Sequence, residues 1–492
     1  MGVIQKQAIR TTAITFIGIG VGLLSNIIKP LVLSKEQLGA IGLLDTTSQL
    51  FATIFCLGFP QISFRMFPLF RNEKKGHSGY FLFGIFLSLV GIVFAELSFF
   101  LTESWVLGDD PNSAAIRMIA HFIIPMIFFR ILFKNLDIYM SMMMNSVLGS
   151  FLEAFLLKFV IFIGFVIFWL DWIDYEYFVY IYVAAFILPG LIIVIFSFIK
   201  SSPLVMPKKA LFENDKRKDM IRYGSYGVFA SLASILVLSI DQLMINGMLG
   251  TEATGGYTLM FFAGSLVGIP ARGVRRISYP VLAESWKKND LDNIANVYKR
   301  SVQSHAVVGV FLFVMGWALI GPALSLDARY MEYASGVFVY FFIGLAQLID
   351  MMSGVNAEIL ATSAKYKLNV YFNLGLAGLL VLFNLFFIEE WGITGAAAAS
   401  ALAMLIVNGV RWFYLKRKYD LQPFSLDVVK VLLIGGVLLC LVSFITIPLG
   451  AIPLLLVYFF SITIVYWGII FRLNLSEDIK EWVLKMKRKF FG

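Results

Sequence analysis

Ionisable side chains stand inside long apolar stretches of this sequence, where a buried charge needs a partner or a function. Asp241 is the clearest acid of this kind, in the segment "LSIDQLMINGMLG". A charge at membrane depth costs roughly 2.5–3.5 kcal/mol on insertion scales, so such side chains usually face a cavity or a counter-charge. Five basic residues raise the same question, and they are Lys29, Arg65, Arg130, Lys158 and Arg272.

The basic residues have the chemistry of a phosphate-binding site. Guanidinium and ammonium groups donate charge-assisted hydrogen bonds to phosphate oxygens, and a low dielectric strengthens these contacts. Arg65 and Arg272 would form a cationic entrance, and Lys158 lies deepest. The alternative interpretation is the general excess of basic residues on the cytoplasmic side, with snorkelling for Lys29. Asp241 is the candidate to bind a coupling proton or cation, or to hold a basic side chain in place.

A second acid inside the apolar pattern is Asp350, which shares a helix face with Gln347 three residues earlier. Pairing with a basic residue is the common fate of a buried acid. We therefore expect a basic partner for Asp350.

Polar and small residues are predicted to line one face of three helices, at about 100° of rotation per residue. Span one carries Thr11, Thr15, Gly18, Gly22, Ser25 and Lys29. Span seven carries Tyr223, Gly227, Ser234 and Asp241, and span eleven carries Tyr366, Asn369, Asn373 and Asn384. The stripes indicate the walls of a central polar cleft, in which Asn369 and Asn373 are candidate substrate-binding residues. Close helix packing and interhelical hydrogen bonds are the alternative.

The composition places these residues in a membrane. Of 492 residues, 59% are hydrophobic and 14% are charged, against about 25% charged in average soluble domains. Mean hydropathy is +0.84, so lipid must be part of the solvent. The net charge of +9 fits basic cytoplasmic loops rather than a nucleic-acid surface. Two cysteines and three scattered histidines have no metal-ligand spacing, so we expect neither a metal nor another cofactor.

At about 20 apolar residues per crossing, the sequence predicts an all-α polytopic membrane protein with about fourteen transmembrane helices. Prolines at Pro30, Pro60 and Pro270 mark predicted bending points. The predicted spans are 11–33, 38–64, 79–101, 114–133, 149–169, 177–199, 221–247, 254–274, 302–321, 333–355, 366–388, 393–414, 430–447 and 450–471.

The distribution of basic residues predicts the orientation. With the N-terminus in the cytoplasm, the cytoplasmic segments hold 32 of the 40 lysines and arginines, and the opposite loops hold only Lys35 and Arg329. The opposite loops are short and acidic, as in "TESWVLGDD" and "DWIDYEY". This asymmetry predicts that both termini are cytoplasmic. The short outer loops argue against a large catalytic domain on that side.

Two pairs of segments indicate an internal repeat. The segment "LSKEQLGAIGLL" (33–44) aligns with "LGTEATGGYTLM" (249–260), and "LGFPQISFR" (57–65) aligns with "VGIPARGVR" (267–275). Both copies begin on the cytoplasmic side, which predicts a parallel repeat of two six-helix bundles. The predicted divisions are a first lobe 1–199, a cytoplasmic linker 200–220, a second lobe 221–415, an added two-helix hairpin 416–471 and a basic cytoplasmic tail 472–492.

These segments also carry a family resemblance. A helix ending in an acid, then "LG...GGY", then a helix ending "G.P...R", resembles the polysaccharide transporters of the multidrug/oligosaccharidyl-lipid/polysaccharide exporter superfamily. The segment "WGITGAAAAS" (391–400) is similar to the start of their span twelve. Twelve repeat helices plus two are the expected layout of the oligosaccharide flippases in that family.

The resemblance implies a substrate and a location. Such flippases move undecaprenyl-pyrophosphate-linked oligosaccharides, the repeat units of O-antigen, capsule or exopolysaccharide, across the bacterial inner membrane by alternating access. The implied partners are this lipid-linked substrate, membrane lipid, a coupling proton or cation and polysaccharide polymerases, with no nucleic acid.

Two other functions stay open on the sequence. A cation-coupled multidrug antiporter of the same fold should need intramembrane acids more than bases, and this chain has both. A membrane-embedded polysaccharide enzyme would need catalytic acids in a structured outer loop, and the outer loops are too short to build one. We therefore expect a transporter and not an enzyme.

Overall fold

The computed structural model describes residues 2–107, 114–143, 145–201, 205–208, 211, 216–445 and 447–475, and the regular structure in these ranges is helical. A π-helical turn, Phe151–Leu156, joins α6 to α7. The α-helices are α1 (Gly2–Val32), α2 (Lys35–Phe55), α3 (Phe59–Phe70), α4 (Tyr80–Leu107), α5 (Ala114–Met142), α6 (Ser146–Ser150), α7 (Leu157–Trp169), α8 (Tyr175–Lys200), α9 (Lys216–Leu249), α10 (Thr251–Ser265), α11 (Ile269–Lys288), α12 (Leu291–Leu324), α13 (Ala328–Met331), α14 (Val337–Met352), α15 (Asn356–Thr362), α16 (Lys367–Tyr419), α17 (Leu426–Phe444) and α18 (Ala451–Arg472).

All fourteen predicted spans fall on these helices, which confirms the predicted fold class. Within the described ranges, 11 helices are long and apolar enough to cross a membrane, and Ile17–Val32 is a shorter apolar helix. One of the 11 is α16, which contains both predicted spans eleven and twelve. Predicted span eight is made of α10 and α11 together.

Two spans are broken at equivalent places of the repeat. Span two consists of α2 and α3, and Gly58 between them has a φ of 67°. Span eight consists of α10 and α11, with the 3-10 turn Leu266–Gly268 between them. Pro60 and Pro270 each lie in the first turn of the second helix, where the missing proline N–H is tolerated. These two predicted bending points therefore coincide with helix breaks, whereas Pro30 lies near the end of α1.

A glycine marks the turn between the two spans of α16. Gly392 has φ 57° and ψ −139°, a backbone conformation that essentially only glycine adopts. It lies between the predicted spans 366–388 and 393–414, as the sequence pattern requires. The turn is therefore made by one residue, without a loop.

The helices pack into two compact units, residues 1–255 and 256–492. In the first unit α5 packs against α2, α4 and α8, and α9 packs on α2 and α3. In the second unit α14 packs against α12 and α16, while α17 and α18 both pack on α12. The predicted lobes, linker and hairpin stay predictions, because this division rests on packing alone. The linker is described only in part, and the tail beyond residue 475 lies outside the described residues.

Within the first unit, the starts of α2 and α10 cross at two glycines that the repeat relates. A Cβ atom on Gly39 would lie 1.9 Å from the carbonyl oxygen of Thr251, and one on Gly255 would lie 1.9 Å from that of Lys35. Gly39 aligns with Gly255, and Lys35 aligns with Thr251, at the same offset in the sequence. The contact is therefore reciprocal, as at a two-fold axis. Glycine is required on both sides because a side chain would overlap the opposite backbone.

Candidate functional site

Arg130 is the centre of a charged cluster in the first unit. Its guanidinium, on α5, forms an ion pair with Asp45 of α2. The Cζ atom lies 4.2 Å from the ring centroid of Phe186 on α8. The Arg130 side chain is only 12% exposed, and its Nε has no hydrogen-bond partner among the described residues. This guanidinium is held in place by a ring and a carboxylate, and it retains one N–H for another acceptor.

Lys29 reaches the same carboxylate from α1. Its Nζ donates a hydrogen bond to Asn26 Oδ1 at 3.0 Å and lies 5.9 Å from the ring centroid of Phe165 on α7. Lys29 also interacts electrostatically with Asp45. Asp45 is therefore shared between two cations, and its side chain is 41% exposed.

Lys158 of α7 lies against α1, beside Gly22. Its side-chain Cδ is 3.4 Å from the position that a Cβ atom on Gly22 would take, and its Nζ is 3.7 Å from that position. A Cβ atom on Gly18 would lie 1.6 Å from the carbonyl oxygen of Ala154. These glycines of the predicted polar stripe thus pack against the helix that carries Lys158. The packing interpretation holds for them, and the space over Gly22 accommodates the Lys158 stem.

The charged cluster continues toward the C-terminal end of α5. Lys134 donates a hydrogen bond to Thr53 Oγ1 and interacts electrostatically with Arg130 and Glu153. Glu153 lies in the π-helical turn, a distortion that is frequent at functional sites. It also interacts with Asp137 of α5.

These interactions link three basic side chains, Lys29, Arg130 and Lys134, with three acids, Asp45, Asp137 and Glu153. Lys158 lies beside Gly22 of α1 as a further basic residue. No role was predicted for these three acids from the sequence. The signal that singled out Asp241, an acid next to apolar residues in a predicted span, was present for Asp45 and Glu153, whereas Asp137 lies between two predicted spans.

Arg65 of α3 and Arg272 of α11 are exposed. They belong to different compact units, and within the described ranges the structure gives neither side chain an ion pair. Their predicted role as a cationic entrance stays a prediction.

One asparagine of span eleven contacts the second half of the same helical element. Asn373 accepts a hydrogen bond from Arg411 Nη2, and Arg411 Nη1 donates to Asn408 Oδ1 at 3.5 Å. Asn373 therefore makes an interhelical hydrogen bond, and its predicted role in substrate binding stays a prediction. Asn369 Oδ1 is buried and has no hydrogen-bond partner in the described part of the chain, so Asn369 stays a candidate for a polar ligand. Arg411 was not predicted as a site residue.

Asp241 is buried, with 4% of its surface exposed. It lies on α9, where the neighbouring Gln242 accepts a hydrogen bond from Thr46 of α2. Ser234 of the same predicted stripe is exposed, and Gly227 packs against Gln61, so this stripe is not one continuous surface. Among the described residues no group of three or more His, Cys, Asp or Glu side chains is arranged to hold a metal ion. The ion-coupling role of Asp241 stays a prediction.

Asp350 has the basic partner that the sequence predicted. Arg275 Nη2 lies 2.8 Å from Asp350 Oδ2 and also donates to the Asp350 carbonyl oxygen at 3.0 Å. Arg275 Nε lies 3.9 Å from Glu358 Oε1. The Arg275 guanidinium therefore joins α11 to α14 and α15.

Long apolar helices, broken spans and charges buried between them define a polytopic membrane protein of the transporter type. Residues 4–286 match the family model described as "Polysaccharide biosynthesis protein". The match covers more than half of the chain, and the chain belongs to this family.

Two curated proteins are similar to it in sequence. The "Uncharacterized membrane protein MJ1068" of Methanocaldococcus jannaschii is 21% identical over 325 residues, which are 60% of each chain. The "Teichuronic acid biosynthesis protein TuaB" of Bacillus subtilis is 22% identical over 179 residues, which are 36% of this chain and 35% of the relative. The matched regions thus span less than two thirds of either relative.

Solved structures show the same fold over nearly the whole chain. The "Lipid II flippase MurJ, inward closed conformation" has a TM-score of 0.72 at 13% identity and covers 95% of this chain and 100% of its own. An inward-facing "multidrug resistance MATE family transporter of the MOP superfamily" has a TM-score of 0.65 at 15% identity and covers 84% and 98%. The chain therefore has the fold of the superfamily that the sequence resembles.

Proposed function

We propose that this chain moves a polyprenyl-diphosphate-linked oligosaccharide from the cytoplasmic to the outer leaflet of the bacterial cytoplasmic membrane. The substrate class is the undecaprenyl-pyrophosphate-linked repeat unit of O-antigen, capsule or exopolysaccharide. The observation that supports this proposal is the charged cluster around Arg130, in a membrane protein of a polysaccharide biosynthesis family.

A diphosphate fits this cluster chemically. It brings negative charge and acceptor oxygens to the basic side chains of Arg130, Lys29 and Lys134. Arg130 has an unused Nε–H, and an arginine that pairs with phosphate through two nitrogens gives both energy and orientation. Lys29, which shares Asp45 with Arg130, supplies a second point charge.

Exchange of partners keeps the energetic cost low. An unpaired buried charge is strongly destabilising. Arg130 avoids this state if the diphosphate binds as Asp45 leaves. Asp45 is partly exposed, so its carboxylate can turn to water. The polyprenyl chain stays in lipid because it is as apolar as its surroundings. Asparagine side chains such as Asn369 give the sugars hydrogen-bond partners, and rocking of the predicted lobes then exposes the substrate to the outer side.

The proposal includes an orientation. Both termini lie in the cytoplasm, and the basic loops remain there. Coupling to a proton or cation supplies the energy, and the assignment of that role to Asp241 stays a prediction from the sequence. Polysaccharide polymerases on the outer side would consume the product.

The experiment is depletion of the protein in its host, followed by analysis of lipid-linked oligosaccharide. We expect the lipid-linked oligosaccharide to accumulate in the cytoplasmic leaflet and the surface polysaccharide to decline. Complementation with Arg130→Gln should fail at normal protein level. Arg329→Gln, which removes an exposed arginine of α13, is the matched control and should complement.

The antiporter of the same fold makes the opposite prediction. Depletion would leave lipid-linked oligosaccharide unchanged and increase sensitivity to cationic drugs. That outcome would refute the flippase proposal. An accumulating substrate without its lipid carrier would instead favour an enzyme of polysaccharide synthesis.

A further inference from the structure

The second unit contains a network of four charged side chains from four helical elements. Arg275 of α11 pairs with Asp350 of α14 at 2.8 Å and lies 3.9 Å from Glu358 of α15. Arg411 of α16 interacts electrostatically with all three. With both acids ionised, the two positive and two negative charges cancel.

Arg411 differs from Arg275 in its partners. The hydrogen bonds from its terminal nitrogens go to the neutral amides of Asn373 and Asn408. Its Nε has no hydrogen-bond partner in the described ranges, although Arg411 is only 5% exposed. Neutral amides satisfy hydrogen bonding without neutralising the charge, so Arg411 depends on the acids at longer range.

Unsatisfied buried polar atoms surround the same network. Glu358 Oε2, Arg275 Nε, Asn408 Nδ2 and His305 Nε2 have no hydrogen-bond partner among the described residues. His305 of α12 is 2% exposed, and its Nδ1 lies 3.0 Å from the Met351 carbonyl oxygen. A neutral imidazole with Nδ1–H donating to that carbonyl leaves Nε2 as an acceptor. Buried groups without partners are rare. Two of these atoms, Glu358 Oε2 and His305 Nε2, are acceptors that can take a proton.

Glu358 is the member best placed to take up a proton. Its side chain is 17% exposed and so is not fully enclosed by protein. Its Oε2 has no partner, and its Oε1 is beyond hydrogen-bond distance of Arg275. Asp350, by contrast, is held by a direct ion pair. Burial raises the pKa of Glu358, which lies between predicted spans ten and eleven, and the positive charge of Arg275 opposes part of that rise.

We propose that Glu358 binds and releases the proton that couples transport to the proton gradient. In the step, Glu358 Oε2 accepts a proton from hydronium and water is released. The network then changes from neutral to one net positive charge. Arg275 keeps its ion pair with Asp350, and Arg411 loses half of the negative charge that compensates it. The electrostatic stabilisation of Arg411, which is hydrogen-bonded to the amides of α16, therefore changes each time a proton binds.

The proton site itself does not depend on the identity of the substrate. Only the coupling to transport rests on the flippase proposal. The groups that face Glu358 from the surrounding elements are Arg275, Asp350, Arg411 and His305, and any of them can modify the titration.

The test is an infrared pH titration of the purified full-length protein in lipid vesicles. We expect a protonated-carboxyl band that disappears as the pH rises through values above the ordinary glutamate range. Glu358→Gln should remove this component. Glu284→Gln is the matched control on α11, because Glu284 is 65% exposed and paired with Lys288 at 2.6 Å. It should leave the component unchanged.

A local probe reports the same event. Trp286 Nε1 donates to the carbonyl oxygen of Ile359, next to Glu358. Tryptophan fluorescence should change with pH in the wild type, and the Glu358→Gln variant should lack that change. A titration that survives in Glu358→Gln and disappears in His305→Asn would overturn the assignment to Glu358.

Transport measurements separate the two proposals. Glu358→Gln should retain the substrate but lose the pH dependence of its transport. If pH dependence persists in Glu358→Gln and disappears in Asp241→Asn, the coupling role of Glu358 is wrong. If lipid-linked oligosaccharide is not a substrate at all while the carboxyl band is present, the flippase proposal fails and the proton site stands.

Discussion

A methyl group at the glycine crossing of α2 and α10 should destabilise the protein. In Gly39→Ala the new Cβ would lie 1.9 Å from the Thr251 carbonyl oxygen, whereas real Cβ contacts are essentially never below 3.0 Å. Backbone atoms on both sides must therefore move apart by more than an ångström. Because neither partner is a flexible side chain, we expect a loss of about 1–3 kcal/mol in unfolding free energy, as for overpacked cores.

Reciprocity gives this prediction a second test. Gly255→Ala should cost a similar amount, because its Cβ would meet the Lys35 carbonyl oxygen at the same 1.9 Å. The double variant should cost less than the sum, because one separation of the helices relieves both overlaps. The assay is denaturant unfolding in detergent, followed by tryptophan fluorescence.

The control is a glycine with free space around it. Gly20 on α1 has nothing within 4 Å of its Cβ position, so Gly20→Ala should be neutral or slightly stabilising, by up to about 1 kcal/mol. If Gly39→Ala unfolds no more easily than Gly20→Ala, or if the two crossing variants add fully, the reciprocal contact is refuted.

Three further predictions follow from the same structure. Asp45→Ala leaves Arg130 without its carboxylate, and denaturant unfolding should show a loss of about 1–3 kcal/mol in unfolding free energy. In the double variant Arg130→Gln/Asp45→Ala this loss should fall toward zero, because no unpaired charge remains. If the effects of the two substitutions simply add, the ion pair is contradicted. Gly392→Ala forces alanine into φ 57°, ψ −139° and should cost about 1–3 kcal/mol in the same assay, whereas an unchanged midpoint would show that the turn relaxes freely. Lys158→Gln should reduce transport without changing the midpoint of denaturant unfolding. Intact transport in this variant would show that Lys158 is not on the substrate path.

Much of the fold could be predicted from the sequence because membrane crossing is a one-dimensional constraint. A backbone in lipid must satisfy its own hydrogen bonds, so each apolar segment of about 20 residues has to be a helix. The helix breaks at Pro60 and Pro270 could also be predicted, because proline and glycine act on the local backbone. Gly392 acts on the local backbone in the same way, and its turn lies at the boundary between predicted spans eleven and twelve.

The partners of the charges could be predicted only in kind. A basic partner for Asp350 was expected, but its identity as Arg275, 75 residues away, depends on how α11 packs against α14. Arg130 was predicted as a buried cation, and nothing local indicates that Asp45 and Phe186 hold it. For Asn373 nothing local in the sequence indicates that Arg411, 38 residues away, donates a hydrogen bond to it.

By itself, the sequence determined that this chain is helical and crosses a membrane many times, and it predicts basic loops on one side and two related halves. Those properties depend on residue type and on spacing along the chain. Only the tertiary structure decided that Gly18 and Gly22 are packing residues and that Gly39 meets Gly255. It also decided that Lys29 and Arg130 both interact with Asp45, because burial, ion pairing and close approach depend on which helices are neighbours.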